Sequence, residues 1–180
     1  HKPDRRQRHM CIRDSSDATF SAAENQTAIG IVTANDPEGD SFSFSISGTE
    51  LSITSSGVLS FTSAPDYETK AAYSATVTVV DTEDNSATQD ITVNVTNVND
   101  NSPVFTSNTT FKAEENQTSI GRVTATDEDG DDLTFTISGS ELEITSTGVL
   151  TFIEDPDYET KSIYTATVNV SDGINTASQN

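Results

Sequence analysis

Carboxylates recur through this chain in five short patterns, each suited to holding a cation. Glu24 and Glu115 stand in the matching pentads AENQT (23–27) and EENQT (114–118). Asp36 with Glu38, and Asp127 with Asp129, form D-x-(D/E) pairs. Asp66 with Glu68, and Asp157 with Glu159, flank a tyrosine in the hexapeptide PDYETK at 65–70 and 156–161. Asp81 and Asp172 close the runs YSATVTVVD and YTATVNVSD. Between the two copies lies NVNDNSP at 97–103, which supplies Asn99, Asp100 and Asn101. Oxygen ligands converging from separate segments are what a hard cation needs, and Ca²⁺ takes six to eight of them, carboxylate, amide and backbone carbonyl alike. Mg²⁺ demands stricter octahedral geometry and keeps its waters, so it suits a flexible carboxylate cage less well. The only histidines are His1 and His9 and the only cysteine is Cys11. That argues against zinc or copper and leaves no nucleophile–histidine pair beside the carboxylates. A glycosidase would need two acids of separated pKa across a cleft, and one catalytic pair per repeated module is a poor match, so the chain is read as no enzyme. Taken alone, D-x-D is equally a turn signature, because Asp and Gly favour turns. Its recurrence beside Glu24 and the D-Y-E motif is what selects calcium.

The elements that must position these groups are written twice. Residues 20–89 align with 111–180 at a constant offset of 91 without a gap, and 39 of the 70 pairs are identical. A period this long is a whole small domain used in tandem, not a solenoid repeat. Period-two alternation of apolar and polar residues dominates each copy, as in FSFSI (42–46), YSATVTV (73–79) and ITVNV (91–95). Turn clusters such as DPEGD (36–40) and TSSG (54–57) separate the runs. That pattern predicts strands at about 18–23, 27–34, 41–47, 50–54, 57–62, 72–80 and 88–96. Seven short strands in one module imply an all-β chain of two tandem immunoglobulin-like antiparallel β-sandwiches. The second lacks its last strand in this reading. The domains are a leader at 1–15, a first repeat at 16–101 and a second at 102–180. Because strand direction alternates, Glu24, Asp66 and Glu68 are expected near one pole of the first repeat. Asp127, Asp129 and Asp172 are expected at the pole of the second that faces the junction.

Charge narrows the partners. The chain carries a net charge of −20, yet residues 1–15 hold five of its nine basic residues and only two acids, which leaves −23 on the rest. So acidic a body excludes nucleic acid and anionic membrane surfaces, both of which reward basic patches. No run of 18 apolar residues is present to span a membrane. The leader breaks the repeat: where the second copy has NVNDNSPVF at 97–105, the first has RQRHMCIRD at 6–14. MCIRDS at 10–15 resembles a translated sequencing adapter, so residues 1–15 are set aside as non-native.

The five acidic patterns, in order, resemble the calcium motifs of cadherin-type repeats, including those of bacterial surface proteins. The family's strand-end Glu resembles Glu24. Its L-D-R-E motif resembles PDYE at 65–68, with Pro65 in place of Leu. Its D-x-N-D-N-x-P linker resembles NVNDNSP, with Asn97 in place of the first Asp. Its D-x-D resembles Asp127 and Asp129, and its A-x-D resembles Asp172. The resemblance covers residues 16–180. It implies Ca²⁺ at the junction, held by Glu24, Asp66, Glu68, Asn99, Asp100, Asn101 through its carbonyl, Asp127, Asp129 and Asp172. It also implies an extracellular, cell-surface adhesion protein whose partners are other adhesion molecules or neighbouring copies of the array. The alternative is a calcium-stiffened spacer in a larger secreted or surface protein. The chain has no tryptophan, so a Trp-anchored strand exchange of the kind some family members use has no support here.

Overall fold

Alternating burial sets the architecture, visible in a computed structural model that describes residues 13–14, 17–37 and 39–180. The chain divides into two units, His1–Val98 and Asn99–Asn180. Unit 1 contains β1 (Arg13–Asp14), β2 (Thr19–Ala23), β3 (Ala28–Ile31), β4 (Ala34–Asn35), β5 (Phe42–Ile46), β6 (Leu51–Ile53), β7 (Val58–Phe61), β8 (Ala72–Asp81) and β9 (Ser86–Thr96). Its larger sheet has the order β2-β9-β8-β5 and its smaller one β3-β7-β6. In β9 every second residue faces inward, so that Ile91, Val93 and Val95 are buried, Val93 completely. They meet Phe44, Leu59, Phe61, Val77 and Val79 in one core between the sheets. β-branched residues on a pleated face pack well in this way, which is why Ile and Val alternate with Thr and Asn along the strand.

Unit 2 contains β10 (Val104–Phe105), β11 (Ser119–Arg122), β12 (Ala125–Thr126), β13 (Thr134–Ile137), β14 (Leu142–Ile144), β15 (Val149–Phe152), β16 (Val168–Ser171) and β17 (Thr176–Gln179). Its sheets are β13-β16-β17, β11-β15-β14 and the pair β10-β12. Val123, Phe135, Leu150, Val168 and Val170 form its core. Gly57 and Gly148 take the same left-handed φ, +91° and +89°. A Cβ on either would collide with the carbonyl of Val32 or Val123, so this turn requires glycine in both copies.

Four sequence expectations change. The pairing is not wholly antiparallel: β2 runs parallel to β9 over five positions, Thr19 opposite Thr92 through Ala23 opposite Thr96. Strands so far apart in sequence have a connection long enough to return in the same direction. The strand expected at 27–34 is two, β3 and β4, on different sheets. The last strand of unit 2 is not missing altogether, because β17 pairs with β16 from Ser171 opposite Thr176 to Val168 opposite Gln179. Its presence exposes a slip in the repeat. In unit 1, Val80 pairs with Ser86, so Ser171 sits 91 residues after its counterpart but Thr176 only 90 after its own. The hairpin loop is one residue shorter in unit 2, and the offset falls to 90 beyond it. All 39 identities at offset 91 lie before that loop. Of the leader, residues 1–12 and 15 lie outside the described residues, while the backbone of Arg13–Asp14 pairs with that of Ala34–Asn35.

Candidate metal centre

In unit 1 the carboxylates are gathered by Glu24. This residue directly follows β2, only 4% exposed, and the next, Asn25, turns the chain with φ +62°. The turn is fixed by the Asn25 N–H donating to the Pro65 carbonyl at 3.0 Å. That bond brings the D-Y-E loop alongside. Glu24 Oε2 then accepts the Tyr67 N–H at 2.8 Å, and Oε1 accepts the Val98 N–H, also at 2.8 Å. One carboxylate thereby clasps the loop and the end of the unit together. Asp66 is held by Thr69, whose N–H reaches Oδ1 and whose hydroxyl reaches Oδ2, each at 3.0 Å. Glu24, Asp66 and Glu68 each bring one oxygen within 4.8 Å of the others. Tyr67 packs against the core, in keeping with a packing role for its ring. Its counterpart Tyr158 is 66% exposed and does not. Unit 2 repeats the trio as Glu115, Asp157 and Glu159, with Glu115 accepting the Tyr158 N–H at 3.0 Å.

Unit 2 assembles the other predicted residues. Asp127 Oδ1 accepts the Asp129 N–H at 3.1 Å, a tight turn that stacks the two carboxylates on one side of the loop. Asp129 Oδ2 accepts the backbone N–H groups of Asp100 and Asn101 at 3.0 and 2.8 Å, and Oδ1 accepts the Asn101 amide at 3.0 Å. Asp172 Oδ1 accepts the N–H groups of Ile174 and Asn175 at 2.7 and 2.5 Å. Asn175 donates its amide to Asn99 Oδ1 at 2.7 Å and to the Asn101 carbonyl at 2.8 Å. Asn99, Asp100, Asn101, Asp127, Asp129 and Asp172 are therefore joined in one network.

Two members were not anticipated. Asp131 places a carboxylate oxygen within 4.8 Å of those of Asp127 and Asp129. Its sequence signal was the recurrence of Asp40 at offset 91, in DPEGD and DEDGD. Burial, with the charges of Asp127, Asp129 and Asp172, pushes its carboxyl above the usual range, against a lowering contact from Asn99. The second is Asn175. At offset 91 it aligns with Asp84, which concealed that its equivalent is Asn85. The two asparagines differ in what they do. Asn85 donates its amide to Asp81 Oδ2 at 2.8 Å, and this bond is the main cause holding Asp81 below the usual range. Asn175 is spent on Asn99 and Asn101, so Asp172 Oδ2 is buried without a hydrogen-bond partner, as is Asp127 Oδ2. Burial pushes Asp172 up, but the hydrogen bonds from the Ile174 and Asn175 N–H groups outweigh it, with the nearby Asn175 and Asn99 side chains acting in the same direction without bonding Oδ2, and hold the group lowered. Asp172 is thus an anion, 9% exposed, with one oxygen unanswered. Such an atom costs free energy unless something positive meets it. An all-oxygen donor set with two orphaned carboxylate oxygens fits a hard divalent cation such as Ca²⁺.

The chain's relatives agree with the architecture. A bacterial Ig domain family model matches residues 13–94. Cadherin-99C of Drosophila melanogaster is 32% identical in an alignment 172 residues long that covers 84% of this chain and 10% of that protein. Human Protocadherin Fat 4 is 33% identical in an alignment 128 residues long that covers 64% of this chain and 3% of that protein. The chain therefore spans a tenth or less of either. Among solved structures, mouse cadherin-23 EC22-24 superposes with a TM-score of 0.78 at 19% identity, over 94% of this chain and 64% of that one. About a third of its residues shared with animal cadherins, on a cadherin ectodomain's arrangement of strands, identify the chain as tandem cadherin-type repeats.

Proposed function

We propose that these repeats are a calcium-binding, non-enzymatic module of an extracellular adhesion protein. Calcium would bind on both sides of the bond between Val98 and Asn99 and stiffen the array. The observation that carries this reading is the pair of buried oxygens without a hydrogen-bond partner, Asp127 Oδ2 and Asp172 Oδ2. Both belong to a network built only from oxygen donors and the amides that orient them. The ligands are Glu24, Asp66 and Glu68 from unit 1, and Asn99, Asp100, the Asn101 carbonyl, Asp127, Asp129 and Asp172 from unit 2, with Asp131 as a further carboxylate. Asn175 is a positioning residue for Asn99 and Asn101. Like charges 4 Å apart repel by about 4 kcal/mol at an effective dielectric of 20, so the ion-free clusters favour splaying of their loops and calcium favours a fixed linker. The partners are other adhesion molecules or neighbouring copies of the array, on the strength of cadherin relatives.

Calorimetry tests the site. Calcium should bind with affinities of roughly 10⁻⁴–10⁻³ M, typical of extracellular modules, and Asp172→Asn should weaken binding about tenfold or more. No calcium heat at millimolar ion would sink the reading. Small-angle scattering should give a longer, narrower distance distribution with calcium than with chelator. Beads coated with the protein then separate adhesion from spacing: calcium-dependent clumping supports an adhesive surface, and dispersed beads at saturating calcium leave a stiffened spacer.

A further inference from the structure

Asn85 and Asn175 occupy the same backbone frame and spend their side chains differently. In unit 1 the Asn85 N–H donates to Asp81 Oδ1 at 2.8 Å, and its carbonyl accepts the Asp81 N–H at 3.0 Å. In unit 2 the Asn175 N–H donates to Asp172 Oδ1 at 2.5 Å, and its carbonyl accepts the Asp172 N–H at 3.3 Å. Each hairpin loop therefore holds its asparagine beside its aspartate by the same two bonds. Only the amide group differs. That of Asn85 closes on Asp81 Oδ2 at 2.8 Å. That of Asn175 reaches Asn99 Oδ1 at 2.7 Å and the Asn101 carbonyl at 2.8 Å, and Asp172 Oδ2 is left buried without a hydrogen-bond partner. Rotation about the side-chain bonds carries an asparagine amide between two such positions with the backbone unmoved. The positions are near balance in strength. A hydrogen bond to a charged carboxylate is roughly twice as strong as one between neutral groups, and residues 99–101 offer two neutral oxygens against one carboxylate oxygen.

Resting on the calcium reading of the unit 2 cluster, we propose that the Asn175 amide is a two-position latch. It couples the seating of residues 99–101 to the availability of Asp172 Oδ2 for a divalent cation. With the amide on Asn99 and Asn101, Oδ2 is open to the cation. Both linker oxygens are then fixed, and each keeps a second lone pair to offer. With the amide on Asp172, as Asn85 is on Asp81, that oxygen is capped and the linker oxygens are unheld. Asn175 touches no cation in either position and is a positioning residue, acting through Asp172, Asn99 and Asn101. A docked linker and an uncapped carboxylate are thereby set by one rotation.

The test compares Asn99→Ala with Asn99→Ala/Asn175→Ala in the full chain. Removing Asn99 Oδ1 leaves the amide a single neutral acceptor, so it should pass to Asp172. In chelator, NMR couplings across hydrogen bonds should join the Asn175 amide nitrogen to Asn99 and Asn101 in the unaltered chain, and to the Asp172 carboxyl carbon in Asn99→Ala. By calorimetry, Asn99→Ala should bind calcium more weakly than the unaltered chain. The double variant should bind about threefold or more tighter than Asn99→Ala, because apparent affinity scales with the fraction of protein that is uncapped. A residue that only supported the loop would give the opposite order, the second substitution weakening binding further. The latch is overturned, with the calcium reading intact, if the double variant binds no more tightly than Asn99→Ala, or if the amide does not couple to Asp172 in Asn99→Ala. An unaltered chain that gives no calcium heat overturns the calcium reading and the latch with it.

Discussion

Unit 1 and unit 2 share 39 residues at matching positions, yet their corresponding strands at 72–76 and 163–167 behave as different objects. In unit 1 the segment is the first half of β8 and pairs residue by residue with β9, Ala72 opposite Asn94 through Thr76 opposite Asp90. In unit 2 the same pattern, with Tyr, Ala and Thr at the same places, forms no strand until Val168, where β13 and β17 flank it. Tyr164 still packs edge-to-face against Phe152 as Tyr73 does against Phe61, at 4.9 and 5.1 Å between ring centroids. Lys161 still lies over Tyr164 as Lys70 does over Tyr73. Local side-chain contacts survive without the neighbouring strand, and the backbone ladder does not. Strand formation here depends on the partner more than on the residues' own preference.

The largest effect that would sharpen this comparison comes from supplying the partner. Appending a copy of residues 91–101 after Asn180 continues the register of β17 and restores three buried aliphatic side chains, each contributing about 1.5–3 kcal/mol. Unit 2 should gain several kcal/mol in denaturant unfolding. Residues 164–166 should then exchange their amide hydrogens about as slowly as 73–75, having exchanged ~10²-fold or more faster before. Equal protection of the two segments without the extension would break the comparison outright.

Taking a piece away from unit 1 is the smaller, converse change. Ile91→Ala should destabilise unit 1 by about 2–5 kcal/mol and leave the transition of unit 2 in place, because Ile91 packs in the core of unit 1 and not in that of unit 2. Two-probe thermal unfolding would show one transition moving. If both move together, the units do not unfold independently.

The smallest effect separates the two hairpin loops. Asp81 is held below the usual carboxylate range, first by the Asn85 side chain. A folded-state pKa below the unfolded value near 3.9 stabilises above that pH, and the stability is lost as pH falls through the lowered folded value. Asn85→Ala should raise the Asp81 pKa and move the acid-unfolding midpoint of unit 1 upward. An unchanged NMR titration of the Asp81 carboxyl would show that the bond is idle.

How much of this was legible in the sequence depends on the range of the interaction that decides it. Strand positions were legible because alternation such as Tyr73, Ala75, Val77, Val79 is written locally. That Glu24 would meet the D-Y-E loop followed from strand direction alone. The parallel course of β2 was not legible, since nothing in residues 19–23 records which way residues 92–96 will run beside them. The one-residue slip was hidden because identity ends at Asp172, just before the loop that shortens. The partnerless oxygen of Asp172 was likewise out of reach, for it depends on Asn175 pointing its amide at Asn99 and Asn101 instead of back at the aspartate.

The parallel pairing of β2 with β9 has a mechanical consequence. These are the first and last long strands of unit 1, and they lie side by side with the same polarity. Tension applied at the two ends of the unit pulls them in opposite directions along their own length. The ladder is then loaded in shear, with the bonds across its five paired positions sharing the force. Strands peeled from one end would instead break them one at a time. Glu24, which anchors the Val98 N–H just beyond β9, sits where that force enters.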